Sequence, residues 1–172
     1  MTSNTGASTR ILGSLRSAGG KGVVRIEDRL DVGIDDVWSA LTDPRRLALW
    51  IGEVDGDLRV GGIYRFSFFA SGSEGTGRVE ACEPPRRLLL TMALGEPDED
   101  VVEVLLAADG KQTTVIWEER GMPLNQLAAY GAGVQIHVED LGAHIAGRGP
   151  CDAGARWSEL EPAYRNLART IG

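Results

Sequence analysis

The stretch from Arg25 to Gly62, RIEDRLDVGIDDVWSALTDPRRLALWIGEVDGDLRVGG, decides the fold. It reads as a strand, then a short helix pair containing VWSALTDPRRLALW, then a second strand entering a double-glycine turn. That order sets Trp38 and Trp50 on short helices beside a sheet. In the first strand Val24, Ile26, Leu30 and Val32 share one parity, and Asp28 interrupts the inner set, as a bulge or a polar site would. Asp35 or Asp36 is in place to cap the first helix, whose buried face is Val37, Trp38 and Leu41. Asp43 caps the second, and Pro44 suits its first turn.

Upstream, ILGSLRS (11–17) and the glycine-rich AGGKG (18–22) suit either a hairpin strand or a loose arm. Residues 1–9 are small and polar and are expected to be disordered. Downstream, IYRFSFFA (63–70) alternates, with Tyr64, Phe66 and Phe68 on one face. SGSEGTG (71–77) is a turn leading to RVEACE (78–83), and RRLLLTMAL (86–94) is the next strand. The acidic turn GEPDED (95–100) reads as a solvated loop. VVEVLLA (101–107) and QTTVIWEER (112–120) form a hairpin through an Asp-Gly turn.

After Gly121-Met122-Pro123 the period changes. Leu127, Tyr130, Val134, Val138, Leu141 and Ile145 recur as on one side of a long helix ending near Arg148-Gly149-Pro150. Gly131 and Gly133 are each costly there, by roughly 1 kcal/mol relative to alanine. They mark a kink, a late helix start or a close approach to another element. RWSELEPAYRNLAR (156–169) makes a short terminal helix. The sum is an α+β fold: about seven antiparallel strands curved around one long late helix, with two short helices after the first strand.

Composition sets limits. The 172 residues fit one domain, and a net charge of −7 disfavours nucleic acid and anionic membrane as partners. No apolar run approaches the roughly 20 residues of a membrane span. The N-terminal residues lack an apolar signal core, so a cytoplasmic location is expected. Cys82 and Cys151 lack metal-ligand spacing and read as reduced structural thiols.

On these residues the chain resembles the START/SRPBCC superfamily, the birch-pollen-allergen or helix-grip fold. Within it, it is similar to the activators of heat-shock protein 90 ATPase homologue family. The resemblance is carried, in order, by VWSALTDPRRLALW (37–50), DLRVGGIYRF (57–66), GRVEACEPPRRLLLT (77–91), TTVIWEERGMP (113–123) and GAGVQIHVEDL (131–141). It implies a START-like domain over residues 10–147, followed by a C-terminal extension over 148–172. It further implies a cavity between sheet and late helix for an apolar or amphipathic small molecule, and no cofactor. Family members often carry Trp where Val134 stands and His where Glu119 stands. The first departure would enlarge the cavity, and the second would put a carboxylate where a ring is usual. The family name also implies a chaperone as partner and a part in stress response.

The candidate ligand-binding aromatics are Trp50, Tyr64, Phe66, Phe68 and Trp117, which serve equally as core. Glu119 shares parity with Val115 and Trp117 and therefore points inward, unless it reaches water at the strand end or pairs with Arg120. Tyr130, Val134 and His137 are the candidates on the late helix, with Gln135 on its opposite border. His137, Asp140 and His144 have H-x2-D-x3-H spacing, but they flank the apolar stripe and read as a surface network rather than a metal site. GSEGTG (72–77) lacks the Lys-Ser/Thr of a phosphate loop and reads as a turn at the cavity mouth.

Binding of a small apolar or amphipathic ligand is the leading expectation, with binding preferred to catalysis. One alternative is an enzyme of the cyclase, dehydratase or hydrolase kind with Glu119 and His137 as the catalytic pair. The other is a chaperone-associated interaction module with an apolar patch around Ile116 and Leu89 on the convex face. A monomer and a homodimer both fit.

Overall fold

The computed structural model of the chain describes residues 10–171, so the expectation for residues 1–9 lies outside the described residues. The sheet has eight strands in the order β1-β2-β8-β7-β6-β5-β4-β3, with every neighbouring pair antiparallel. The strand beyond the expected seven is the ambiguous N-terminal segment. β1 (Gly13–Ala18) pairs with β2 (Lys21–Leu30) across a two-glycine turn. Gly19 and Gly20 both adopt positive φ there, which a side chain would resist.

Helices α1 (Ile34–Thr42) and α2 (Pro44–Trp50) carry the chain from β2 to the far edge strand β3 (Gly52–Gly56). Asp43 caps α2, its Oδ1 accepting from Arg45 N at 2.9 Å. The N-cap of α1 is Gly33 and not Asp35 or Asp36. Both aspartates sit inside the first turn, where their charge still meets the positive end of the helix. A meander follows: β4 (Ile63–Phe68), β5 (Glu74–Glu83), β6 (Arg87–Met92), β7 (Asp100–Asp109) and β8 (Gln112–Met122).

A single 3-10 turn then leads into α3 (Leu127–Ile145), and α4 (Ala153–Ala168) packs along it. The sheet's inner face covers α3, and Val24, Ile26, Val115 and Leu141 are almost wholly buried between them. The terminal helix is longer than expected and belongs to the core, since Leu160 and Tyr164 are fully buried. Gly131 explains the fit: a Cβ at that position would lie 2.5 Å from the Tyr164 ring. The close-approach reading of Gly131 therefore holds. Among the described residues no helix is long and apolar enough to cross a membrane.

Candidate functional site

The curved sheet and α3 do not close completely. Between them, under α1 and α2, lies a cleft of about 150 Å³. Period-two alternation builds its wall. Tyr64 and Phe66 on β4, Val102 and Val104 on β7, and Trp117 on β8 all point inward and are buried. The two short helices close one end with Leu41, Leu47 and Trp50. Phe66 and Phe68 stack at 4.7 Å between centroids, and Phe68 meets the edge of His137 at 5.1 Å. The wall is almost entirely hydrocarbon, aromatic ring and sulfur.

Of the residues singled out in the sequence, Trp50, Tyr64, Phe66, Phe68, Trp117, Glu119 and His137 line this one space. Tyr130 and Val134 do not. Val134 is 2% exposed within the packed core, so its size does not set that of the cavity. Gln135 faces the opposite way. Its Oε1 accepts from Tyr164 Oη at 2.6 Å and from Leu12 N at 3.1 Å, tying the N-terminal arm and α4 to α3.

The polar groups on the wall are few, and each is distinctive. The indole N–H of Trp50 donates to Ala40 O at 3.0 Å, whereas the buried Trp117 Nε1 has no acceptor among the described residues. His137 makes no hydrogen bond among the described residues; it is half-buried and lines the cavity. Burial lowers its pKa to about 4, so the ring is neutral at physiological pH. Glu119 likewise is half-buried and lines the cavity. Burial, and then the adjoining Asp100 carboxyl, hold its pKa well above the ordinary carboxylate range.

Arg120 does not neutralise Glu119. Its guanidinium lies on the outer face, 2.9 Å from Glu118 and 3.0 Å from Glu103. The partner of Glu119 is Asp100, the last residue of the turn read as solvated. Asp100 opens β7 with the same parity as Val102 and Val104 and is 5% exposed. Its Oδ2 is buried with no ordinary donor among the described residues. A proton on Glu119 would supply that donor, and the two carboxyls, both with raised pKa values, titrate as a pair.

The H-x2-D-x3-H residues part company. His137 enters the cavity, Asp140 Oδ1 accepts from Cys151 N at 2.8 Å, and His144 Nε2 accepts from Arg46 Nε at 3.2 Å. No group of metal-ligating side chains gathers among the described residues. Cys82, read from sequence as structural, contributes its side chain to the cavity wall, where burial raises its thiol pKa.

Residues 31–146 match the family described as Activator of Hsp90 ATPase homolog 1-like protein. Among solved structures, CalU16 from Micromonospora echinospora is 31% identical with a TM-score of 0.74, covering 91% of this chain and 96% of that one. DynU16, a protein of the dynemicin biosynthetic locus, is 30% identical with a TM-score of 0.68. The match takes in 76% of this chain but 50% of that longer one. A protein encoded by gene BPP1335 from Bordetella parapertussis, 19% identical with a TM-score of 0.73 over 95% of both chains, shares the fold. No curated protein matches this chain.

Proposed function

The chain belongs to the family of Activator of Hsp90 ATPase homolog 1-like proteins, and from that premise we propose that it binds a small, mainly apolar molecule in the cleft between sheet and α3. The observation that carries this reading is the cleft itself. It is walled by aromatic and aliphatic side chains, among them Trp117, whose buried N–H has no partner among the described residues. Burial of apolar ligand surface supplies the driving force, at roughly 25 cal/mol per Å² removed from water. The indole N–H of Trp117, neutral His137 and the Glu119 carboxyl give orientation, each by hydrogen bonds that bulk water does not contest. An apolar cavity of this volume suits a ligand body of one or two rings. The place of DynU16 in a biosynthetic locus supports a biosynthetic small molecule as the class of guest.

Titration with naphthalene, followed by calorimetry, should saturate, and Phe66→Ala should change the affinity. A signal that rises linearly without saturation would overturn the reading.

One observation favours acid–base catalysis in the same cleft as a second reading. The pKa of Glu119 is held up and that of His137 is held down, so a carboxyl shifted toward its acid form and a neutral base stand on one cavity wall. They form no hydrogen bond with each other, and a substrate would have to span them. Turnover of a polyketide-like substrate that vanishes in Glu119→Gln and His137→Gln would establish it; turnover unchanged in both would dismiss it. The interaction-module reading finds less support. On the outer face Leu89 and Ile116 are half-buried and alternate with the ion pairs of Arg87, Glu103, Glu118 and Arg120.

A further inference from the structure

We propose that the ligand carries a protonated basic nitrogen, seated against the Asp100–Glu119 carboxyl pair with its apolar body among the rings of Phe66 and Trp117. The inference rests on the cleft being a ligand site, and it names the chemistry that the site selects.

The argument begins with charge. Asp100 on β7 and Glu119 on β8 bring two carboxyls together on the inner face of the sheet. Two carboxyls in contact share a proton, and the pair keeps a single negative charge. Every titratable neighbour is neutral or acidic. Tyr64 on β4 and Tyr130 on α3 face the pair, Asp98 and Glu99 flank it from the preceding turn, and Glu80 on β5 acts on Tyr64. The nearby arginines are engaged elsewhere: Arg120 with Glu118 and Glu103 outside the sheet, and Arg78 with Glu80 at 2.7 Å. Among the described residues no basic side chain acts on either carboxyl. His137, neutral in its apolar surroundings, supplies no positive charge.

A buried anion without a counter-charge is costly, and one member of this pair, Glu119, lines the cavity, while Asp100 is buried off its wall. An ammonium or similar cation entering the cleft would provide the missing charge. Its N–H groups would donate to the Glu119 carboxylate on the cavity wall, the pair's shared proton passing to the buried Asp100 Oδ2. The faces of Phe66, Phe68 and Trp117 attract a cation further. A carboxylate guest meets like charge and is rejected. The unpaired Trp117 Nε1–H, in a residue 7% exposed, is an independent sign of a polar guest. It would take an ether, carbonyl or hydroxyl oxygen elsewhere on the same molecule.

Three probes of similar body separate the possibilities: toluene, benzylamine and benzoate, each titrated by calorimetry at neutral pH. Benzylamine should bind at least about tenfold more tightly than toluene, and benzoate should not bind. In the double variant Asp100→Asn, Glu119→Gln the benzylamine preference should fall to near unity while toluene binding persists. Glu119→Gln alone should weaken the preference without abolishing it, because the charge then left on Asp100 lies off the cavity wall. Circular dichroism checks that the variants fold. A pH series on the unaltered protein gives a second route, since the preference should fade in acid as the pair takes up a second proton. Equal affinity for benzylamine and toluene, a preference that survives in the double variant, or one undiminished in acid would each overturn the proposal. Those outcomes leave the cleft as an apolar site. Failure of all three probes to bind would remove the ligand site itself, and this inference with it.

Discussion

At the scale of single residues, the buried titratable groups make stability depend on pH in two opposed ways. His137 has a folded pKa of about 4 against 6.5 in an open chain, so the unfolded state binds more protons between those values. Stability is therefore full above pH 6.5 and falls as the pH drops toward 4, by about 3 kcal/mol at most from this group. His137→Gln should flatten that acid limb in denaturant titrations run across the window. Glu119 runs the other way. Its folded pKa lies above 4.5, so its contribution is full below that value and is lost as the pH climbs. Glu119→Gln should raise the melting temperature at pH 8 by the equivalent of roughly 1–2 kcal/mol. The gain should shrink toward pH 4.5. The inward turn of Glu119 was legible from its parity with Val115 and Trp117. Asp100 was not, because the run GEPDED reads as a loop until its last residue is counted into the alternation Asp100, Val102, Val104.

At the scale of elements, the two glycines of α3 look alike in sequence and differ in space. A Cβ on Gly131 would come 2.5 Å from the ring of Tyr164, a residue held by hydrogen bonds to Gln135 and Gly13. A Cβ on Gly133 would meet nothing nearer than Trp157, at 4.0 Å. Gly131→Ala should therefore lose stability by about 1–3 kcal/mol through forced separation of α3 and α4. Gly133→Ala should gain up to about 1 kcal/mol, the ordinary helix-propensity difference. Urea unfolding of both variants checks the contrast, and equal effects would mean that α4 does not press on α3 as described. Sequence periodicity located α3 because one apolar stripe faces the sheet. It undervalued α4, because only Leu160 and Tyr164 of that helix are buried, and the contacts that add to them, Gln135 to Tyr164 and Glu139 to Arg156, are polar pairs that hydrophobic spacing does not register.

At the scale of the whole molecule, the cleft sets binding against stability. The family's order of elements, legible from the ordered segments between residues 37 and 141, places a curved sheet over a helix and leaves the space between them. How much of that space stays open depends on side-chain volumes summed over many strands, which no single motif carries. An unfilled apolar space forfeits packing, at about 24 cal/mol per Å³ in cores where this has been measured. A side chain that grows into the cleft should then add stability and remove room for the guest. Cys82 is suited to the test: it lines the cleft, forms no disulfide and is small. Methionine extends the same position with an unbranched, adaptable chain that can settle into irregular space. Each methylene buried adds about 0.8 kcal/mol. Cys82→Met should raise the melting temperature and weaken naphthalene binding by about tenfold or more, the counterpart of 1.4 kcal/mol. A variant both less stable and equally able to bind would place the Cys82 side chain against packed protein rather than open space, and the cleft would then be smaller than the fold makes it.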